Sequence, residues 1–153
     1  VRLKSRTRGI AVVETAIVLP LLFLLLLVVG ELGRAFIQYS RLSHRVHAAA
    51  RHVAENAMLD TTGVLQPPSN QLLTQARNLV IYGVPVVAGA PAVPGLNTSN
   101  VMVNFDFQEG TVQVQVTYPY QPIVGEVLPM FGFGGDIAVD AITLRPQTTL
   151  RAL

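Results

Sequence analysis

From Ile10 to Gly30 the chain is apolar on every side of any regular structure it could adopt, and Glu14 is the one charge in the run. Ahead of it stand Arg2, Lys4, Arg6 and Arg8, with no acid among them, and Gly9 closes the basic stretch. A helix needs about 20 predominantly apolar residues to cross a bilayer, and Ile10–Gly30 supplies that length. Each Leu, Ile, Val or Phe near the membrane centre contributes roughly −0.3 to −0.6 kcal/mol to insertion. Their sum exceeds the cost of one carboxylate, at most about 2.5–3.5 kcal/mol at the centre and less near an edge. The run is therefore expected to be a transmembrane segment with Glu14 near one boundary. A cleaved signal peptide is the alternative, with Val28-Val29-Gly30 as its small-residue site. An h-region of that kind spans only about 7–15 residues and lacks an acid. Bases also follow the run, at Arg34, Arg41 and Arg45 against Glu31, so the positive-inside bias toward a cytoplasmic amino terminus is modest.

From Glu31 the pattern acquires a period. No proline occurs between Glu31 and Met58, and Gly33 is the one glycine. At 3.6 residues per turn, Leu32, Phe36, Tyr39, Val46, Ala50, Val53 and Ala57 share one face, and Arg34, Gln38, Arg41, Arg45 and His52 share the opposite one. That is an amphipathic helix. Continuous with the apolar run, it is expected to extend from about Ile10 to Met58, roughly 70 Å at 1.5 Å per residue. Pro20 removes one backbone hydrogen bond, which membrane helices tolerate.

Asp60-Thr61-Thr62-Gly63 ends that pattern, and Gln66-Pro67-Pro68-Ser69 reads as a loop. Ser69 or Asn70 can cap a shorter helix over 71–82, closed by Gly83. A Pro/Gly/Ala-rich connector, 84–100, leads into period-2 alternation. Val101, Val103, Phe105 and Phe107 predict a strand over 101–107; Val112, Val114, Val116 and Tyr118 predict another over 112–118; Gln108-Glu109-Gly110 joins them as a hairpin. Residues 119–135 read as a long Pro-, Gly- and Phe-rich loop, and a third strand is expected over 137–144, stopped at Arg145-Pro146. The fold class is α+β: a long amino-terminal helix whose amphipathic part covers a small antiparallel sheet, since two or three strands with one apolar face need such cover.

Half of the residues are hydrophobic and 13% are charged, which suits a membrane-attached chain with room for one small further domain. The net charge of +2 is concentrated in the first nine residues and gives no footprint for nucleic acid. There is no cysteine, so disulfide and thiolate-metal chemistry are excluded. His44 and His47 are spaced to share a metal, but neither they nor His52 have a third ligand nearby in sequence. Phe131-Gly132-Phe133-Gly134-Gly135 is not a phosphate loop, because no Lys-Ser/Thr follows it. No nucleophile–base arrangement is recognisable, and no cofactor, metal, catalytic residue or small-molecule substrate is expected.

The residues that carry identity are Gly9, the four apolar residues Ile10–Val13, and Glu14. They resemble the processing site of a type IV prepilin, which has a basic leader, a final Gly and an acid at the fifth mature position. More narrowly, residues 8–34 resemble the TadE-like family of tight-adherence pilus assembly proteins. Val18-Leu19-Pro20-Leu21-Leu22 and Glu31-Leu32-Gly33-Arg34 carry that resemblance, and Ala48-Ala49-Ala50-Arg51 fits it. The position after the acid is Thr15, where family members commonly carry an aromatic residue. The chain is also longer than the very small major Flp subunits. The resemblance therefore implies a pilin-like fold and a minor pilin or pseudopilin, not an enzyme. It implies cleavage between Gly9 and Ile10 by a prepilin peptidase, and partners among other pilin-like subunits and the pilus assembly platform. The division implied is a leader (1–9), a transmembrane segment (10–30) and an exported domain (31–153) beyond a bacterial inner membrane. Glu14 would then pair with the Ile10 amine, its own or a neighbour's; the alternatives are a pseudopilin of a related secretion system, and a permanent, single-pass anchor from which Glu14 reaches for headgroups and whose outer domain binds a periplasmic partner.

Overall fold

The computed structural model describes residues 6–56, 66–123, 127–128, 137–138 and 142–151. Two helices form, α1 (Arg6–Glu55) and α2 (Asn70–Tyr82). They are followed by strands β1 (Val101–Asp106), β2 (Thr111–Val116), β3 (Tyr118–Pro119), β4 (Val127–Leu128), β5 (Ile137–Ala138), β6 (Thr143–Leu144) and β7 (Gln147–Arg151). The architecture is α+β, a long apolar amino-terminal helix with a small antiparallel sheet, as expected. The expected helix end at Asp60–Gly63, together with Ala57 and Met58, lies outside the described residues, as does most of the expected loop and strand between 124 and 141.

The chain divides into two compact units, Val1–Arg34 with Pro122–Val139, and Ala35–Gln121 with Asp140–Leu153. In the first unit the apolar side chains of α1 are exposed, among them Ile17, Leu22 and Leu26, while Pro20, Leu24 and Val28 are half-buried. The helix continues through Pro20. The Thr15 hydroxyl is satisfied by donating to the Ala11 carbonyl one turn back, at 2.8 Å, so it adds no open polar group to the apolar surface. β4 and β5 pair antiparallel, Val127 opposite Ala138 and Leu128 opposite Ile137.

The second unit holds the hydrophobic core. α1 contributes Ala35, Leu42, Val46, Ala49, Ala50 and Val53; α2 contributes Leu72, Ala76, Val80 and Ile81; the strands contribute Val101, Val112, Val114 and Val116, with Tyr118, Tyr120 and Leu144 closing it. Val46, Ala50 and Val53 of the expected face of α1 are buried, but the first turns of that face are not. Phe36 is 71% exposed, and Leu32 and Tyr39 are exposed too, whereas Gln38, expected on the outer face, is buried. Residues 35, 38, 42, 46, 49 and 53 repeat at intervals of three and four, so they form as good a stripe as the bulkier one beside it. They include the small Ala35 and Ala49, and they share one core cluster with Ile81, Tyr118 and Tyr120.

α2 begins and ends where its sequence directs. Ser69 Oγ accepts from the Leu72 N–H at 3.1 Å, the N-cap bond that satisfies an orphan donor. Gly83, at φ +82°, stops the helix with its N–H on the Leu79 carbonyl. A side chain there would stand in ordinary contact with Arg45, whose Nη1 donates to the Ile81 carbonyl at 2.7 Å. The connector before β1 is fixed in place: Tyr118 OH donates to the Pro94 carbonyl at 2.7 Å, and Val93 and Leu96 are buried.

β1 and β2 form the expected hairpin, with Val101 opposite Val116, Val103 opposite Val114 and Phe105 opposite Val112. The third strand of this sheet is not the expected 137–144 segment. It is β7, which pairs with β2, Val114 opposite Thr148 and Val112 opposite Leu150. The expected segment instead supplies two short strands that pair elsewhere, β5 with β4 and β6 with β3. Pro146 lacks a donor and so cannot sit inside a ladder, but it is tolerated at a strand's start; its carbonyl accepts from Val116 N–H at 3.0 Å, and β7 begins directly after it. The expected second strand ends early as well, at Val116, because Tyr118 leaves to pair with Leu144.

Val112, Val114 and Val116 are fully buried while Gln113 and Gln115 are half-exposed. Replacing Val114 by Asp places a carboxylate in that core without a partner, and a buried unpaired charge costs several kcal/mol. Thermal or denaturant unfolding of the Val114→Asp protein should show a stability loss of about 3 kcal/mol or more, whereas Gln113→Asp should shift it by less than about 1 kcal/mol.

Candidate functional site

The candidate positions all lie along α1, and they differ in what surrounds them. Gly9 and Ile10 sit in the helix's opening turns, with Ile10 exposed. A Cβ on Gly9 or on Gly33 would meet nothing within 4 Å. Among the described residues, neither glycine is therefore required by packing.

Glu14 is exposed on an apolar stretch of helix shared with Ile10, Val13 and Ile17. Among the described residues it makes no hydrogen bond or ion pair, and it stands one turn from Ile10. An acid with apolar neighbours and no partner is costly to place in a membrane unless another group arrives to pair with it.

Glu31 is its opposite. It is only 7% exposed, and its Oε1 accepts the Ile123 N–H at 2.8 Å across 92 positions of sequence. A carboxylate accepting a backbone N–H makes one of the stronger protein hydrogen bonds. Glu31 thus ties Ile123 to the helix just beyond the apolar run, within one compact unit. Arg34 is half-buried, with Nη1 buried and without a partner among the described residues. Pro20 is half-buried in the middle of the run.

The structure therefore brings Glu31 to a contact that its sequence position does not announce. Nothing in Gln121-Pro122-Ile123 marks the Ile123 amide as a ligand for an acid so far upstream. Among the described residues there is no group of three His, Cys, Asp or Glu side chains able to hold a metal. His44 and His47 are exposed, and His52 lies 3.4 Å from Gln75 Oε1.

These residues lie on one apolar helix with an unpaired acid near its start and a bonded acid at its far end. Residues 9–51 match the family model of TadE-like proteins. The matched stretch contains Gly9, Ile10, Glu14, Pro20, Glu31, Gly33 and Arg34, and it stops inside α1. The TadE-like match thus lies wholly on the helix, and the strands fall outside it. No curated protein and no solved structure matches the chain.

The Glu31 contact yields a direct test. In Glu31→Ala the Ile123 amide loses its acceptor, and hydrogen exchange at Ile123 should accelerate by about 10- to 100-fold, the equivalent of a lost hydrogen bond to a charged group. Glu31→Gln retains a side-chain carbonyl as acceptor and should give a smaller change.

Proposed function

We propose that this protein is a minor pilin or pseudopilin that assists the assembly or initiation of a tight-adherence pilus. The observation that carries the proposal is the TadE-like match laid over an exposed apolar helix that holds an unpartnered acid one turn after Ile10. TadE-like proteins are pilus-associated structural components, and that supports a structural role in place of a catalytic one. α1 is the one helix among the described residues long and apolar enough to cross a membrane, in keeping with a membrane-anchored protein.

On this reading residues 1–9 are a cytoplasmic leader, 10–30 cross the inner membrane once, and 31–153 form an exported periplasmic domain. A prepilin peptidase cuts between Gly9 and Ile10, and the absence of a side chain on Gly9 lets the enzyme reach the backbone. Cleavage creates a cationic amine at Ile10. Glu14, one turn along, pairs with that amine or with the amine of a neighbouring pilin-like subunit. Pairing lowers the cost of both charges in a low-dielectric helix bundle, where a lone charge is strongly unfavourable. The assembly platform and the other subunits are the partners.

Two experiments test the proposal. Amino-terminal sequencing of the membrane-extracted protein should find Ile10 first, and Gly9→Phe should leave the leader attached. Uncleaved wild-type protein in cells with an active peptidase would favour the permanent anchor instead. Glu14→Ala should leave membrane insertion intact, since the segment only becomes more apolar, yet reduce piliation and co-purification with pilus components by an order of magnitude. Glu14→Gln keeps the shape and loses the charge, so it should behave like Glu14→Ala. Normal piliation in both variants at matched protein level would eliminate the assembly role of Glu14.

A further inference from the structure

Strand alternation gives the β1–β2–β7 sheet a second face, turned away from the core. On it Asn104 stands opposite Gln113, and Gln113 opposite Thr149, so the three side chains form one row across the sheet. Asp106 and Thr111 form the next pair toward the hairpin turn. These groups line a cleft of about 720 Å³, within the range of about 300–1,000 Å³ found for small-molecule sites. Its polar groups are uncommitted: among the described residues the side chains of Asn104, Gln108, Thr111, Gln113 and Thr149 make no hydrogen bond within the chain. Its end wall is fixed. Asp106 Oδ1 accepts the Gln108 and Glu109 N–H groups at 2.9 and 3.2 Å, which shapes the turn. Phe107 in that turn is 51% exposed, and its ring lies 4.9 Å from that of Phe105, centroid to centroid. Phe105 itself packs against the core, so the exposed ring has a rigid support.

The class of ligand follows from what the cleft offers and what it lacks. No Lys, Arg or His is among its lining residues, and its one carboxylate is engaged in the turn. It therefore has no cation to hold a phosphate, sulfate or carboxylate; Arg151, opposite Thr111 on β7, is outside the lining. What remains is amides and hydroxyls. An amide donates through its NH2 and accepts through its carbonyl oxygen, and a threonine hydroxyl does both. Their complement is an uncharged molecule that also donates and accepts at each polar position, which is the property of a hydroxyl. The exposed aromatic ring adds a flat apolar surface. A pyranose ring presents both features together, hydroxyls around its rim and C–H groups on its face.

We propose that the cleft at the hairpin end of the β1–β2–β7 sheet binds a neutral oligosaccharide. Phe107 stacks on one sugar ring, and Asn104, Gln113 and Thr149 hydrogen-bond its hydroxyls. The cleft lies wholly within the second compact unit and uses none of the residues on which the pilin reading rests, so the two stand or fall separately.

The test uses the full chain in phosphatidylcholine nanodiscs, free of sugar-headed detergent. Chitotetraose, which is N-acetylated, and cellotetraose, which is not, are the neutral probes; tetragalacturonate is the anionic one. The chain contains no tryptophan, so Phe107→Trp keeps an aromatic ring at the site and reports its occupancy by fluorescence. Its emission should change saturably with at least one neutral probe, and the wild type should show saturation-transfer NMR signals on the ring protons of the same probe. Phe107→Ala and Gln113→Ala should each weaken binding by about tenfold or more. Gln115→Ala, on the same face but outside the lining, should leave it unchanged. Thermal unfolding of each variant separates a lost contact from a lost fold. Binding of chitotetraose alone supports the proposal with recognition of acetamide groups, and binding of both neutral probes supports it with recognition of ring hydroxyls. No saturable binding of either at millimolar concentration overturns it. So does tighter binding of tetragalacturonate, or wild-type affinity in both Phe107→Ala and Gln113→Ala.

Discussion

One unbroken helix carries two different surfaces, apolar all round in its first part and apolar on one side in its last. Between Ile10 and Gly30 α1 is apolar on all sides and almost wholly exposed; from Ala35 onward only one side is buried, against a core of valines and tyrosines. An α-helix meets both conditions because its backbone groups are bonded internally, whatever surrounds it. The side chains alone have to change, and they change within about one turn of Glu31. The small sheet could not persist without that change, since three short strands with one apolar face need a covering element.

Polar groups on this helix are handled individually. The Thr15 hydroxyl is returned to the helix's own backbone. Glu31 is bonded to a distant amide. Glu14 has neither solution among the described residues, and farther along the helix Arg34 Nη1 and Gln38 Oε1 are buried without a partner there. Two acids of the same chemical type at the two ends of one apolar run thus have opposite surroundings, one satisfied internally and one open. Residue type alone could not distinguish them; burial and hydrogen bonding do.

The sequence makes some of these elements plain and hides others, for physical reasons. The apolar run, α2 with its Ser69 and Gly83 boundaries, and the β1–β2 hairpin are legible because each carries an uninterrupted period or a cap of specific chemistry. The Glu31–Ile123 contact is not legible, because an acceptor and a backbone donor 92 positions apart leave no pattern. On α1 two stripes overlap: Val46, Ala50 and Val53 belong to both, hydrophobicity adds the bulky Phe36 and Tyr39, and packing adds Ala35 and Ala49 instead. β7 was missed because Gln147-Thr148-Thr149-Leu150-Arg151 is too polar to read as a strand, although Thr148 and Leu150 alternate inward from a sheet edge. The TadE-like match at 9–51 spans Gly9, Ile10 and Glu14, the residues that their spacing singles out.

The carbonyl of Ile81 accepts from two directions, from Arg45 of α1 and, at 2.7 Å, from the backbone N–H of Ala92 in the connector. A carbonyl has two lone pairs, and here both are committed to different stretches of chain. The end of α2, the carboxyl-terminal part of α1 and the connector at Ala92 therefore share one acceptor: opening any one costs it a bond. These three pieces should behave as one cooperative opening unit. The terminal turn of α2, ordinarily the first part of a short helix to fray, is then among the parts of this domain that open late.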